Sequence, residues 1–186
     1  MSDNFKFELT DEEKNYLKDL VRLSIASGLK GERAETEIPE PPTAHLRETL
    51  GAFVTLTKSR ELRGCIGNVQ GRGQLYKTVW EMARAAAFED PRFPPLSVEE
   101  FEGIKFEISI LSAIEVCPDP KLIEVGRHGL IIRKGMYSGL LLPQVAVEWG
   151  WNREQFLEHT CNKAGLHPDA WKETDTLIFW FEAVVF

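Results

Sequence analysis

The sequence predicts an α+β fold in which a mainly antiparallel sheet packs against helices, forming two unequal lobes. Three observations carry the class. Ile104, Phe106, Ile108 and Ile110 alternate with Lys105, Glu107 and Ser109, the period-two pattern of a half-buried antiparallel strand. Leu17, Leu20 and Val21, and again Leu75, Val79, Met82 and Ala86, recur at the spacing of amphipathic helices. Strand and helix patterns are also interspersed without the rhythm of a parallel sheet, and no internal repeat is present.

Taken in order, Thr10 followed by Asp11, Glu12 and Glu13 is a capping-box pattern that opens a helix, which Gly28 and Gly31 are expected to stop. The segment 31–42 carries Pro39, Pro41 and Pro42 and should run extended over the surface. Two strands, 51–57 and 62–68, joined by the polar turn Lys58-Ser59-Arg60-Glu61, read as a hairpin. A helix over 74–89 follows, and its alanines at 83, 85, 86 and 87 permit close approach of a neighbour. Asp90-Pro91-Arg92-Phe93-Pro94-Pro95 then fixes a stiff, extended loop. Past the alternating strand, segments 130–133 and 137–142 pair around Gly135, and Asn152 caps a helix that turns Leu157, Cys161 and Ala164 inward until Gly165. The aromatic and branched tail 176–186 is a well-covered strand.

Composition narrows the class of function. A chain of 186 residues can bury about 70% of its surface without staples. With 22 basic and 29 acidic residues the net charge is −7, which argues against nucleic acid as a partner. Cys65, Cys117 and Cys161 form no disulfide framework and no CxxC pair, so reduced thiols, a cytoplasmic setting and no structural metal are expected. Neither a secretory signal nor an apolar run of about 18 residues is present, so no membrane span is expected.

The chemistry concentrates in Leu62-Arg63-Gly64-Cys65-Ile66-Gly67, because two glycines weaken a strand unless something approaches its backbone closely. If Leu62 and Ile66 face the core, Arg63, Cys65 and Gly67 share the other face, with Arg63 and Cys65 about 7 Å apart. A cation at that range favours a thiolate, making Cys65 the candidate nucleophile and Arg63 its activator or anion clamp. The alternative is a small buried thiol beside a bulge. Gly67, Gly71 and Gly73 near Arg72 give a weak anion-nest pattern lacking the order of a nucleotide loop. His128, in a glycine-flanked turn, is the candidate acid–base group, or else bonds its own turn. Gln144, amid apolar neighbours, is a candidate orienting group. The tryptophans at 149 and 151 read more readily as packing than as a ligand platform.

On these residues the chain resembles the AMMECR family, named after a human chromosomal region associated with Alport syndrome, midface hypoplasia and elliptocytosis. LRGCIG at 62–67 is the family signature, and AAFEDPRFPPL at 86–96, GRHGLII at 126–132, GLLLPQVAVEWGW at 139–151 and FLEHTCNKAGL at 156–166 follow its pattern. The resemblance implies one AMMECR-type domain over 10–186 after an N-terminal extension, 1–9. It also implies two unequal lobes, a cytoplasmic setting, and association with Memo-like and radical-SAM proteins. It places the functional centre at LRGCIG and directs attention to Gly64, Gly67, Asp90, Arg92, His128 and Gln144 beside Arg63 and Cys65. No reaction or cofactor follows from it. Two readings of function stand: a cleft around Cys65 that binds or acts on a small molecule, as a cysteine-dependent enzyme with His128, and a non-catalytic module docking through Asp90–Leu96 and the aromatic surface. A nucleic-acid role is a distant third.

Overall fold

The computed structural model describes residues 8–32 and 37–186. The first seven residues of the N-terminal extension and positions 33–36 of the connector lie outside them. The chain divides into two compact units, Glu8–Leu111 with Val184–Phe186, and Ser112–Ala183.

The larger unit is built on helix α1 (Asp11–Leu29), strands β1 (Gly51–Lys58) and β2 (Glu61–Asn68), helix α2 (Leu75–Phe88), the short helix α3 (Val98–Phe101) and strand β3 (Lys105–Leu111). β1 lies between β2 and β3, antiparallel to both. Helix α2 lies across β1 and β2 and packs against α1. The core between them is apolar: Leu17, Leu20, Val21 and Ile25 from α1, Val79 and Ala83 from α2, Val54 and Leu56 from β1, and Ile108 and Ile110 from β3 are all buried. Each large side chain so enclosed contributes roughly 1.5–3 kcal/mol. The backbone of Phe186 exchanges both hydrogen bonds with Ile108, so the last residues extend this sheet.

The predicted capping box is present in reciprocal form, Thr10 Oγ1 accepting the Glu13 N–H and Glu13 accepting the Thr10 N–H. Thr10→Ala is therefore expected to cost about 1 kcal/mol in urea unfolding. Gly28 does not stop α1, which runs on to Leu29 before Gly31 turns at φ +74°. Gly28 is instead needed for packing, since a Cβ there would lie 2.4 Å from the Phe88 ring. The hairpin turn is tighter than the four residues expected. Ser59 and Arg60 alone form it, both at positive φ (52° and 70°), the primed geometry that matches strand twist.

The smaller unit holds strands β4 (Glu115–Val116), β5 (His128–Lys134) and β6 (Tyr137–Leu141), helices α4 (Pro143–Glu148) and α5 (Arg153–Lys163), and strand β7 (Leu177–Val185), whose last two residues belong to the larger unit. β5 pairs antiparallel with β6 and β7, and β4 pairs with β7. Phe156, Leu157 and Cys161 of α5 sit in a core with Leu130, Ile132 and Ile178, as the periodicity predicts. Burial pushes the Cys117 and Cys161 thiols up from their ordinary value. Gly139 lets α5 approach β6, because a Cβ there would meet the Ala164 nitrogen at 2.3 Å. Among the described residues no helix is long and apolar enough to cross a membrane.

Candidate functional site

The hairpin register differs from simple alternation at one point, and that point is inside the motif. Leu56 pairs with Gly64 while Thr57 pairs with Leu62, so Arg63 is the extra residue of a bulge. Leu62 therefore shares a face with Cys65 rather than opposing it, and is 43% exposed. This corrects the expectation that Leu62 and Ile66 both point inward. Ile66, opposite Val54, and Gly64, opposite Leu56, lie on the helix-covered side. Cys65, opposite Thr55, lies on the other side and is half-buried.

The Arg63 guanidinium at the bulge is engaged by the loop and α3. It donates to Glu100 through Nε (3.1 Å) and Nη2 (2.9 Å), and to the Pro94 carbonyl (2.9 Å), with the residue only 8% exposed. Hydrogen bonds from Arg63, then Lys58, pull the Glu100 carboxyl down to about 2. Arg63 thus ties the loop and α3 to the strand, and its charge is matched by Glu100.

Asp90 and Arg92 hold Cys65 from the edge of the sheet. Asp90 Oδ2 accepts the Cys65 N–H at 2.8 Å, and Arg92 Nη2 donates to the Cys65 carbonyl at 3.2 Å. The two side chains are themselves locked, Arg92 Nε and Nη2 donating to Asp90 Oδ1 and Oδ2 at 2.9 and 2.7 Å, and the Arg92 N–H adding a third bond at 3.1 Å. The Arg92 guanidinium holds the Asp90 carboxyl well below the usual carboxylate range. An ion pair here does what a neighbouring strand would do, satisfying both backbone groups of an edge residue. The Phe93 ring is approached by both guanidiniums, Arg63 at 5.9 Å and Arg92 at 5.6 Å from its centroid.

The glycines of the motif are accounted for within the chain. A Cβ at Gly64 would stand 2.1 Å from the Ala86 carbonyl oxygen of α2, and one at Gly67 would enter the Phe53 ring at 2.2 Å. Gly71 likewise lies against the Leu50 backbone, and the Leu75 N–H at the start of α2 donates to the Glu48 carbonyl. Of the three glycines in the anion-nest pattern, Gly67 and Gly71 thus serve close packing, whereas a Cβ at Gly73 would meet nothing within 4 Å.

On its face of the sheet Cys65 belongs to a row across three strands. Thr55 is opposite both Cys65 and Glu107, and its hydroxyl donates to Cys65 Sγ at 3.3 Å. Residues so paired lie within about 5.5 Å at Cβ. Neither Thr55 nor Glu107 stands out in the sequence. The signal that finds them is the register of the hairpin with the alternating strand.

His128 and Gln144 belong to the smaller unit. His128 is buried, its Nδ1 accepts the Glu124 N–H at 3.0 Å, and its ring lies 4.5 Å from that of Trp180. Burial, then the Arg127 charge, push its pKa down. The neutral ring therefore carries its proton on Nε2 and presents a donor. Gln144 Oε1 is a buried acceptor without a hydrogen-bond partner among the described residues. Among those residues no group of three or more His, Cys, Asp or Glu is disposed to hold a metal ion.

The two-unit α+β architecture with this clamped motif defines an AMMECR-type domain. A family model described as AMMECR1 matches residues 18–186, and the chain belongs to that family. It is 45% identical to Protein PF1979 of Pyrococcus furiosus, over 97% of this chain and 90% of that protein. It is 47% identical to Protein MK0488 of Methanopyrus kandleri, over 96% and 90%. The crystal structure of the uncharacterized protein PH0010 of Pyrococcus horikoshii superimposes with a TM-score of 0.81 at 42% identity, covering 96% of this chain and 93% of that one.

Proposed function

We propose that the domain binds or acts on a small molecule at Cys65, with the thiol as the group that meets it. The observation that carries this reading is the clamp. Asp90 and Arg92 fix both backbone groups of Cys65 from the sheet edge while its side chain stays on the sheet face opposite α2, partly exposed and hydrogen-bonded by Thr55. A reactive group held this rigidly is what nucleophilic or covalent chemistry requires. Glu107 supplies a carboxylate on the same face, and Arg92, 54% exposed at its side chain, a guanidinium at its edge. Gly64 and Gly67 shape the strand rather than touch the ligand.

Iodoacetamide labelling of the folded protein tests this. Cys65 is expected to react at least about tenfold faster than the buried Cys117 and Cys161, and Cys65→Ser to fold normally while losing that reactivity. Equal labelling of all three thiols, or none before unfolding, would sink the reading. A second reading, a docking module for Memo-like or radical-SAM proteins, draws on the proline-stiffened loop, where Pro91, Pro94 and Pro95 are exposed. It expects Phe93→Ala to weaken capture of such a partner and Cys65→Ser to leave it intact.

A further inference from the structure

In the smaller unit, α4 ends at a turn that presents aromatic rings. Gly150 adopts φ +65°, its N–H donates to the Val147 carbonyl at 3.1 Å, and the Trp151 N–H reaches back to the Ala146 carbonyl at 2.8 Å. One residue later Asn152 caps α5 through reciprocal 3.0 Å bonds with Gln155. The two indoles are thus mounted on a turn fixed at both ends. They are stacked with centroids 6.0 Å apart and planes 16° apart, and Trp151 stacks on His159 at 3.8 Å and 10°. Trp151 also packs on the core, which anchors the column, whereas Trp149 at its end is 70% exposed. A preorganised column ending in an open indole is costly to leave in water and marks a recognition surface.

We propose that the Trp149–Trp151–His159 column binds a cationic side chain, specifically an arginine in a basic segment of a protein partner. Charge decides the occupant. The segment 147–159 carries Glu148, Glu154 and Glu158 against Arg153, whose guanidinium donates to the Lys121 carbonyl at 2.7 Å; the cation that interacts with Glu154 and Glu158, Lys172, is itself paired with Asp169 at 2.6 Å, so the balance of these groups stays acidic. An exposed indole that follows an exposed carboxylate, as Trp149 follows Glu148, attracts a guanidinium by stacking and by charge, and such a surface repels a polyanion. This site is independent of the Cys65 reading.

Indole N–H signals of the ¹⁵N-labelled protein read the interaction directly. A capped hexapeptide of arginines alternating with glycines is expected to shift Trp149 and Trp151 and leave the buried Trp80 unmoved. Trp149→Ala, at an exposed position that spares the fold, should weaken binding about tenfold, and Glu148→Gln about threefold. The same peptide with glutamate in place of arginine should not bind. Absence of shifts at millimolar peptide, equal binding of the glutamate peptide, or unchanged binding to Trp149→Ala would overturn the proposal. So would a concentration-dependent dimer abolished by Trp149→Ala, which would give the surface to a second copy of the chain.

Discussion

Gly64→Ala is expected to lose about 3 kcal/mol of stability, read as a lower midpoint in urea at unchanged slope. The added methyl would stand 2.1 Å from the Ala86 carbonyl oxygen, a backbone atom inside a helix, so relief requires the strand and α2 to separate. They are held together by the apolar core between α1, α2 and the sheet, so any separation exposes buried surface. Gly73→Ala is the control, because nothing lies within 4 Å of its added carbon. It should change stability by less than about 0.5 kcal/mol. The comparison also bears on function. If Gly64→Ala were as stable as the parent, the glycine would not be serving the helix, and the space above it would be free for a ligand.

The second large effect is at Asp90. Its carboxylate takes hydrogen bonds from the Cys65 N–H, the Arg92 N–H and the Arg92 guanidinium, and removing it takes the acceptor from the part-buried Cys65 and Arg92 N–H groups and breaks the lock on Arg92. Asp90→Ala should lower Tm by on the order of 5 °C. It should also free the edge of β2, so that Cys65 alkylation changes rate although the thiol itself is untouched. The pH dependence follows from the same contacts. Asp90 and Glu100 are both held below their ordinary values, so each contributes stability that is complete above the unfolded carboxyl pKa near about 4. That contribution is lost as pH falls through the folded value, which for Glu100 is about 2. Stability of the parent should therefore decline from about pH 5 to pH 2, and Asp90→Asn with Glu100→Gln should flatten the decline. An identical slope in both proteins would show that these pairs are not what acid breaks.

How far the sequence leads differs from element to element. The capping boxes at Thr10 and Asn152, the alternation in β3 and the helical stripes of α1 and α5 are local patterns whose physics needs no partner, and they stand where expected. The boundary at Gly28 differs because a glycine's cost in a helix is outweighed when a neighbouring ring, here Phe88, occupies the place of its side chain. At the motif the sequence marks the strand that becomes β2 but misplaces its faces. One bulge residue inverts the alternation, and bulges come from how two strands register, not from either strand alone.

The sequence by itself determines the α+β class and the family, since these depend on periodicity and residue order. The tertiary structure decides what each residue of the LRGCIG motif is for. Arg63 belongs to Glu100, Gly64 to a helix carbonyl and Gly67 to an aromatic ring, while Cys65 is framed by Asp90 and Arg92 and joined by Thr55 and Glu107. The physical reason is that hydrogen bonds and close packing are short-ranged. They act between residues that lie 10 to 42 positions apart in the chain, as between Thr55 and Cys65 or Lys58 and Glu100, and only the folded register brings those together.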